Sequence, residues 1–157
     1  MTEQRETSDD AVMTRIGQAV MLLHVGDREE ARNRFGALWS EIGETGDVLH
    51  RCTLAHYMAD TQDDPGDELA WDLRALAAAD TLEEVWPVRP ETAAGVRALY
   101  PTLHLSLAAG YLKLRRPEDA RFHLDRARGA TGALGHDGYS TGVRAAIERL
   151  EWRLRGE

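Results

Sequence analysis

"VGDREEARNRF", residues 25–35, returns later in the chain as "LRRPEDARFHL", residues 114–124. In both segments a turn residue is followed by a pair of acidic residues, then by Ala-Arg, and then by a large apolar residue four places after the alanine. Glycine ends many helices, whereas proline and acidic residues favour the first turn of a helix. Two side chains that are four residues apart lie on the same face of a helix. The two segments therefore predict the same helix–turn–helix unit, written twice.

The rest of the chain also has the spacing of helices. Apolar residues recur every three or four positions, and the alternation typical of strands is scarce. We expect helices over residues 10–25, 27–42, 47–61, 67–79, 91–114, from 117 onward, and over 139–155. Pro101 lies inside the fifth of these helices and predicts a kink or a restart there. The sequence therefore predicts an all-α fold of about seven helices, mostly in antiparallel pairs joined by short turns.

The repeated segments extend to a gap-free alignment of residues 22–38 with residues 111–127, in which Ala31 matches Ala120 and Phe35 matches Leu124. A small residue followed one turn later by a large one lets two helices pack closely. This pattern resembles the tetratricopeptide repeat, a family of stacked helix pairs. The stretches over residues 54–76 and 100–114 are also similar to small tetratricopeptide proteins of actinobacteria. The matching alanines stand at positions 31, 70 and 120, which is less regular than the family's spacing of about 34 residues. An irregular helical bundle is the alternative fold.

The resemblance implies a right-handed array within a single domain, residues 10–157, which is long enough to bury a core. Its helix pairs would occupy about residues 10–43, 47–79 and 91–134, followed by a C-terminal capping helix over 139–155. Residues 1–9 are predicted to be a flexible acidic N-terminus. That segment lacks the pattern of a secretory signal, no apolar run is long enough to span a membrane, and the chain has one cysteine. We therefore expect a cytoplasmic protein.

The resemblance also implies that the first helix of each pair lines a concave groove that binds a protein segment or peptide. The residues expected there are Ile16, Val20, Leu23, Cys52, His56, Asp60, His104, Leu105, Ala109 and Leu112. Trp86, between acidic residues and prolines, is predicted to be an exposed anchor for a partner.

Cys52, His56 and Asp60 follow one another at helical steps of four, and all three residue types bind zinc. Their spacing matches no standard metal motif, and His56 and Asp60 form an equally good hydrogen bond within one helix. A Cys–His pair could also be a nucleophile, but the sequence marks no orienting group for it. The sequence therefore predicts no catalytic residues, no cofactor and no metal.

The charge of the chain is uneven. The net charge is −8, with nine Arg and 20 acidic residues in positions 1–100 but ten basic and seven acidic residues in positions 101–157. A net negative charge disfavours nucleic acid as a partner, and we expect no membrane partner. The asymmetry is explained by solvated helix faces, by head-to-tail self-association, or by a charged ligand drawn to one end.

Three functions are consistent with this sequence. We favour a non-enzymatic adaptor that binds a peptide or helix of another protein in its groove. The alternative is a small-molecule sensor or biosynthetic accessory protein that uses the same groove. A third interpretation is an array that works mainly as a homodimer.

Overall fold

In the computed structural model, residues 2–43, 46–83 and 90–156 are described, and for residues 2–10 and 83 this applies to the backbone alone. These residues form seven α-helices and two short 3₁₀ helices (Thr81–Glu83 and Thr131–Ala133) and no strand, so the all-α prediction is confirmed. The α-helices are α1 (Thr2–His24), α2 (Arg28–Ile42), α3 (Val48–Ala59), α4 (Pro65–Asp80), α5 (Pro90–Lys113), α6 (Pro117–Gly129) and α7 (Gly138–Arg155). Within the described ranges, no helix combines the length and the apolar character needed to cross a membrane.

Aspartate residues begin most of the helices. The side chain of Asp27 accepts a hydrogen bond from the Glu30 amide, as the capping pattern predicted. The other three aspartates that cap in this way are Asp47 for α3, Asp64 for α4 and Asp137 for α7. Each such cap satisfies amide groups that have no partner within the helix and typically contributes about 1 kcal/mol.

Two helices differ from the boundaries expected from the sequence. α1 begins at Thr2 rather than near residue 10, so the helix includes the segment predicted to be flexible. No Gly or Pro stands in residues 2–10 to stop a helix, so the helix continues to Thr2. α5 continues through Pro101, which is buried among its neighbours. Packing on several sides holds this proline within one unbroken helix.

The seven helices form two layers. Each helix packs against the next along the chain, and the odd-numbered helices also pack against one another, α1 on α3, α3 on α5 and α5 on α7. One layer, called the odd layer, therefore consists of α1, α3, α5 and α7. The second layer consists of α2, α4 and α6, each of which packs against the two odd-numbered helices next to it in the chain. Short turns between antiparallel neighbours produce this order because each helix buries its apolar stripe against two others.

The core consists of three clusters of buried residues that follow one another along the array. The N-terminal cluster is formed by Ile16, Ala19, Ala31, Phe35, Leu38, Leu54 and Met58. The middle cluster is formed by Val48, Cys52, Ala55, Ala75, Ala78, Ala79, Val96 and Leu103. The C-terminal cluster is formed by Ala108, Ala120, Leu124, Ala127, Leu134, Val143, Ile147, Leu150 and Leu154. Ala31 and Ala120 both have 0% exposure, so the repeated alanine marks a close helix contact in both units, as the sequence predicted.

Candidate functional site

Several residues predicted to line a groove contribute to the core instead of to an open surface. Ile16 is buried in the N-terminal cluster, and Val20 and Leu23 are half-buried against it. Leu105 and Leu112 are half-buried against the C-terminal cluster. These side chains are therefore divided between the two ends of the array, and only their partly exposed atoms are available to a partner.

Cys52 lies inside the middle cluster with 0% exposure. Its Sγ atom is 3.5 Å from the carbonyl oxygen of Leu49. Burial raises the pKa of the Cys52 thiol to about 12. Because the thiolate is the form that attacks substrates and binds zinc, this cysteine is held in its unreactive state.

His56 and Asp72 form a buried polar pair between α3 and α4. The Nδ1 atom of His56 lies 3.6 Å from Oδ1 of Asp72, and neither atom has a hydrogen-bond partner in the described part of the chain. The Asp72 side chain is only 3% exposed, and this desolvation raises the pKa of its carboxyl group, whereas His56 lowers it. The pair is thus a polar centre with unused hydrogen-bonding capacity.

Asp60 lies near this pair and keeps an exposed surface. The surrounding protein nevertheless removes enough water to raise the pKa of the Asp60 carboxyl, while the charge of His56 lowers it and that of Glu68 raises it. Across residues 2–43, 46–83 and 90–156, no three His, Cys, Asp or Glu side chains come together as a group that could hold a metal ion.

Polar side chains from three helices of the odd layer approach one another. The hydroxyl groups of Thr102 on α5 and Tyr139 on α7 are hydrogen-bonded. Desolvation raises the pKa of Tyr57 on α3, and Tyr139 contributes to the same shift. Leu105 and Ala109 are half-buried on α5, one and two turns beyond Thr102. We call these five residues, Tyr57, Thr102, Leu105, Ala109 and Tyr139, the odd-layer surface.

His104 belongs to a stack of rings rather than to an open groove. Its Nδ1 atom is 3.1 Å from Nδ1 of His123, so one imidazole donates a hydrogen bond and the other accepts it. Tyr100 stacks on His104 and Tyr111 stacks on His123, with ring centroids 5.7 and 5.4 Å apart. Desolvation, with a smaller effect from His123, lowers the pKa of His104 to about 4. Desolvation lowers the pKa of His123 as well.

The sequence did not reveal Asp72, His123 or Tyr139 as members of these groups. Each lies on a different helix from its partner, and helical spacing relates only residues of the same helix. Trp86, the predicted exposed anchor, lies outside the described residues.

Searches against family models, curated proteins and solved structures found no significant match to the chain. The tetratricopeptide resemblance therefore continues to rest on the repeated residues themselves.

Proposed function

We propose that this chain is a non-enzymatic cytoplasmic module, similar to tetratricopeptide proteins, that holds a segment of a partner protein against the odd-layer surface. The observation that carries this proposal is the two-layer packing, in which the odd helices share one side of the molecule and contribute partly exposed residues to it. An array of this kind offers an extended surface that is suited to a peptide or a helix.

The composition of the odd-layer surface supports this type of ligand. Leu105 and Ala109 offer apolar contact, whereas the hydroxyl groups of Tyr57, Thr102 and Tyr139 offer hydrogen bonds. Protein interfaces combine an apolar centre with polar groups, and tyrosine is enriched at their most important positions. Tyr139 is 51% exposed and is therefore accessible to a partner.

A matched pair of variants tests the surface. Ala109→Glu introduces a charge on the odd-layer surface, and Ala77→Glu introduces the same charge at an exposed position of α4 in the other layer. Tagged wild-type and variant chains would be used to capture proteins from an extract of the cells that express the chain. We expect the wild type and Ala77→Glu to retain a shared partner that Ala109→Glu loses, with equal helical content in circular dichroism.

Capture that is equal for all three chains would contradict the assignment of the surface. Loss of the partner that occurs only because Ala109→Glu is unfolded would also count against it. The thermal unfolding of each chain is therefore measured beside the capture.

A second candidate function is suggested by the His56–Asp72 pair. Its two polar atoms lie 3.6 Å apart, are buried and lack hydrogen-bond partners among the described residues, so one hydroxyl or ammonium group of a small molecule would satisfy both if α3 and α4 moved apart to admit it. Native mass spectrometry of the purified protein distinguishes this alternative, because a bound metabolite would add a defined mass that Asp72→Asn removes.

A further inference from the structure

The turns that join the helix pairs lie side by side along one edge of the molecule. Arg28, at the start of α2, donates to the carbonyl oxygen of Gln62 at 3.1 Å, which joins the α1–α2 turn to the α3–α4 turn. Lys113, at the end of α5, contacts Glu68 of α4 at 2.9 Å. Arg121, in the first turns of α6, donates to the carbonyl oxygen of Leu154 near the end of α7. We call this line of turns and helix ends the turn edge.

One half of the turn edge is acidic. Asp60, Asp64 and Asp67 all belong to the α3–α4 turn or to the first helical turn after it, and all three are exposed. Asp63, between them, is paired with Arg28 at 3.1 Å and with Arg32 at 3.4 Å. The other three make no ion pair with any basic residue of the described ranges, so no cation in direct contact neutralises their charges.

The other half of the turn edge is basic. Arg115 in the α5–α6 turn, Arg121 on α6 and Arg155 at the end of α7 are exposed, and none of them is ion-paired with an acidic residue that the structure describes. Arg121 and Arg155 also line an open cleft of about 380 Å³ between α6 and α7. Arg128 in the same cleft is already bound to Asp125 and Glu151. The α3–α4 part of the edge thus carries three unpaired carboxylates, whereas the α5–α7 part carries three unpaired guanidinium groups beside the exposed carboxylate of Glu118.

This arrangement is complementary to itself. A half-turn about an axis perpendicular to the edge places the acidic half of one copy against the basic half of a second copy, and the same contact is then made twice. Guanidinium groups bind carboxylates through two parallel hydrogen bonds, which gives such a contact a defined geometry.

We propose that the turn edge binds the turn edge of a second copy of this chain, with Asp60, Asp64 and Asp67 of each copy facing Arg115, Arg121 and Arg155 of the other. None of these six charged residues belongs to the odd-layer surface, so the test of this proposal is separate from the test of the function proposed for that surface. Because the interface consists of exposed charges, the dimer is expected to be weak and to dissociate in salt.

Two charge-reversal variants test this arrangement. The all-basic variant carries Asp60→Lys and Asp67→Lys, and the all-acidic variant carries Arg115→Glu and Arg155→Glu; Asp64 is left unchanged because it caps α4. Each variant shifts the charge of the edge strongly toward one sign, so each alone is expected to be monomeric. A mixture of the two brings opposite edges together and is expected to form a heterodimer that binds more tightly than the wild-type dimer.

Analytical ultracentrifugation of the wild type, each variant and their mixture measures the result at ionic strengths of about 10 mM and 1 M, where the Debye lengths are about 30 and 3 Å. Matched controls carry the same change in net charge at exposed positions away from the turn edge. They are Glu91→Lys with Glu148→Lys, and Arg97→Glu with Arg149→Glu.

We expect the controls to dimerise like the wild type at low salt and all dimers to dissociate at high salt. The proposal is overturned by a wild type that is monomeric at low salt, by growth beyond a dimer, or by a mixture of the two variants that does not associate. Circular dichroism establishes that each chain is folded, so that loss of association is not mistaken for unfolding.

Discussion

Arg115 occupies in the α5–α6 turn the position that Gly26 occupies in the α1–α2 turn, and both residues have positive φ, +58° for Arg115 and +93° for Gly26. The residue that follows each of them, Asp27 or Arg116, donates a backbone hydrogen bond of 2.9 Å to the carbonyl oxygen of the residue five positions earlier. This is the geometry of a helix that ends in a left-handed residue. The first turn has the glycine that suits it, whereas the second places a charged side chain in a conformation that costs about 1–2 kcal/mol.

Arg115→Gly is accordingly expected to stabilise the protein. Glycine removes the steric cost of positive φ, but its greater freedom in the unfolded chain offsets part of the gain, so the free energy of unfolding should increase by about 0.5–1 kcal/mol. Urea denaturation at high salt, where pairing of turn edges is screened, measures this change. Gly26→Arg is the reverse substitution in the matching turn and should destabilise. A loss of stability in Arg115→Gly would show that the arginine side chain stabilises the monomer.

The close helix contact at Ala120 gives a second prediction. Ala120→Leu adds volume at a fully buried site between α6 and its neighbours, and we expect the free energy of unfolding to fall by about 1–3 kcal/mol. Ala77→Leu makes the same change at an exposed position of α4 and should alter stability little. Denaturant titration of both variants measures the difference, and equal behaviour of the two would refute the close contact.

The buried imidazole of His104 predicts a dependence of stability on pH. Its folded pKa of about 4 lies below the ordinary value of 6.5, so the unfolded chain binds a proton more readily between these values. Neutral His104 therefore contributes to the free energy of unfolding. This contribution is complete above about pH 6.5 and is lost as the pH falls toward 4, which lowers the free energy of unfolding by on the order of 3 kcal/mol. Asp80 opposes this shift, Arg126 supports it, and the pKa of the facing His123 is lowered as well.

The measurement is the free energy of unfolding at intervals from pH 7.5 to pH 4, compared between the wild type and His104→Gln. The substitution removes one titrating group, so the variant should have the flatter profile in this range. His136→Gln, at an exposed position, should follow the wild type. Parallel profiles for the wild type and His104→Gln would disprove the prediction.

Asp72→Asn predicts a gain in stability. Desolvation raises the pKa of this carboxyl despite the nearby His56, which means that burial costs the ionised form more than the pair returns. The free energy of unfolding of the wild type therefore falls relative to that of the variant as the pH rises from about 4 through the raised pKa of Asp72. At higher pH the difference between the two chains should be constant, on the order of 1 kcal/mol. Unfolding at high salt at pH 4 and pH 7.5 measures this, with exposed Asp67→Asn as the control. A destabilised Asp72→Asn would mean that the ionised pair is favourable.

Much of the fold could be predicted because helices are local structures. The Ala31–Phe35 spacing predicted a buried stripe, Asp27 and Glu30 predicted a helix start, and both predictions agree with the structure. The site could be predicted far less well. Cys52, His56 and His104 were all expected in a groove, yet Cys52 is buried in the middle cluster and each histidine pairs with a residue from another helix.

What the sequence determined by itself is the succession of helices and the residues that each of them buries, since a helix needs only contacts four residues apart and an apolar face. Tertiary structure alone decided which side chains meet across helices. The distances between His104 and His123, between His56 and Asp72, and between successive turns depend on how helices far apart in the chain are placed against each other. Crossing angles and side-chain volumes throughout the core set that placement, and no short stretch of sequence contains them.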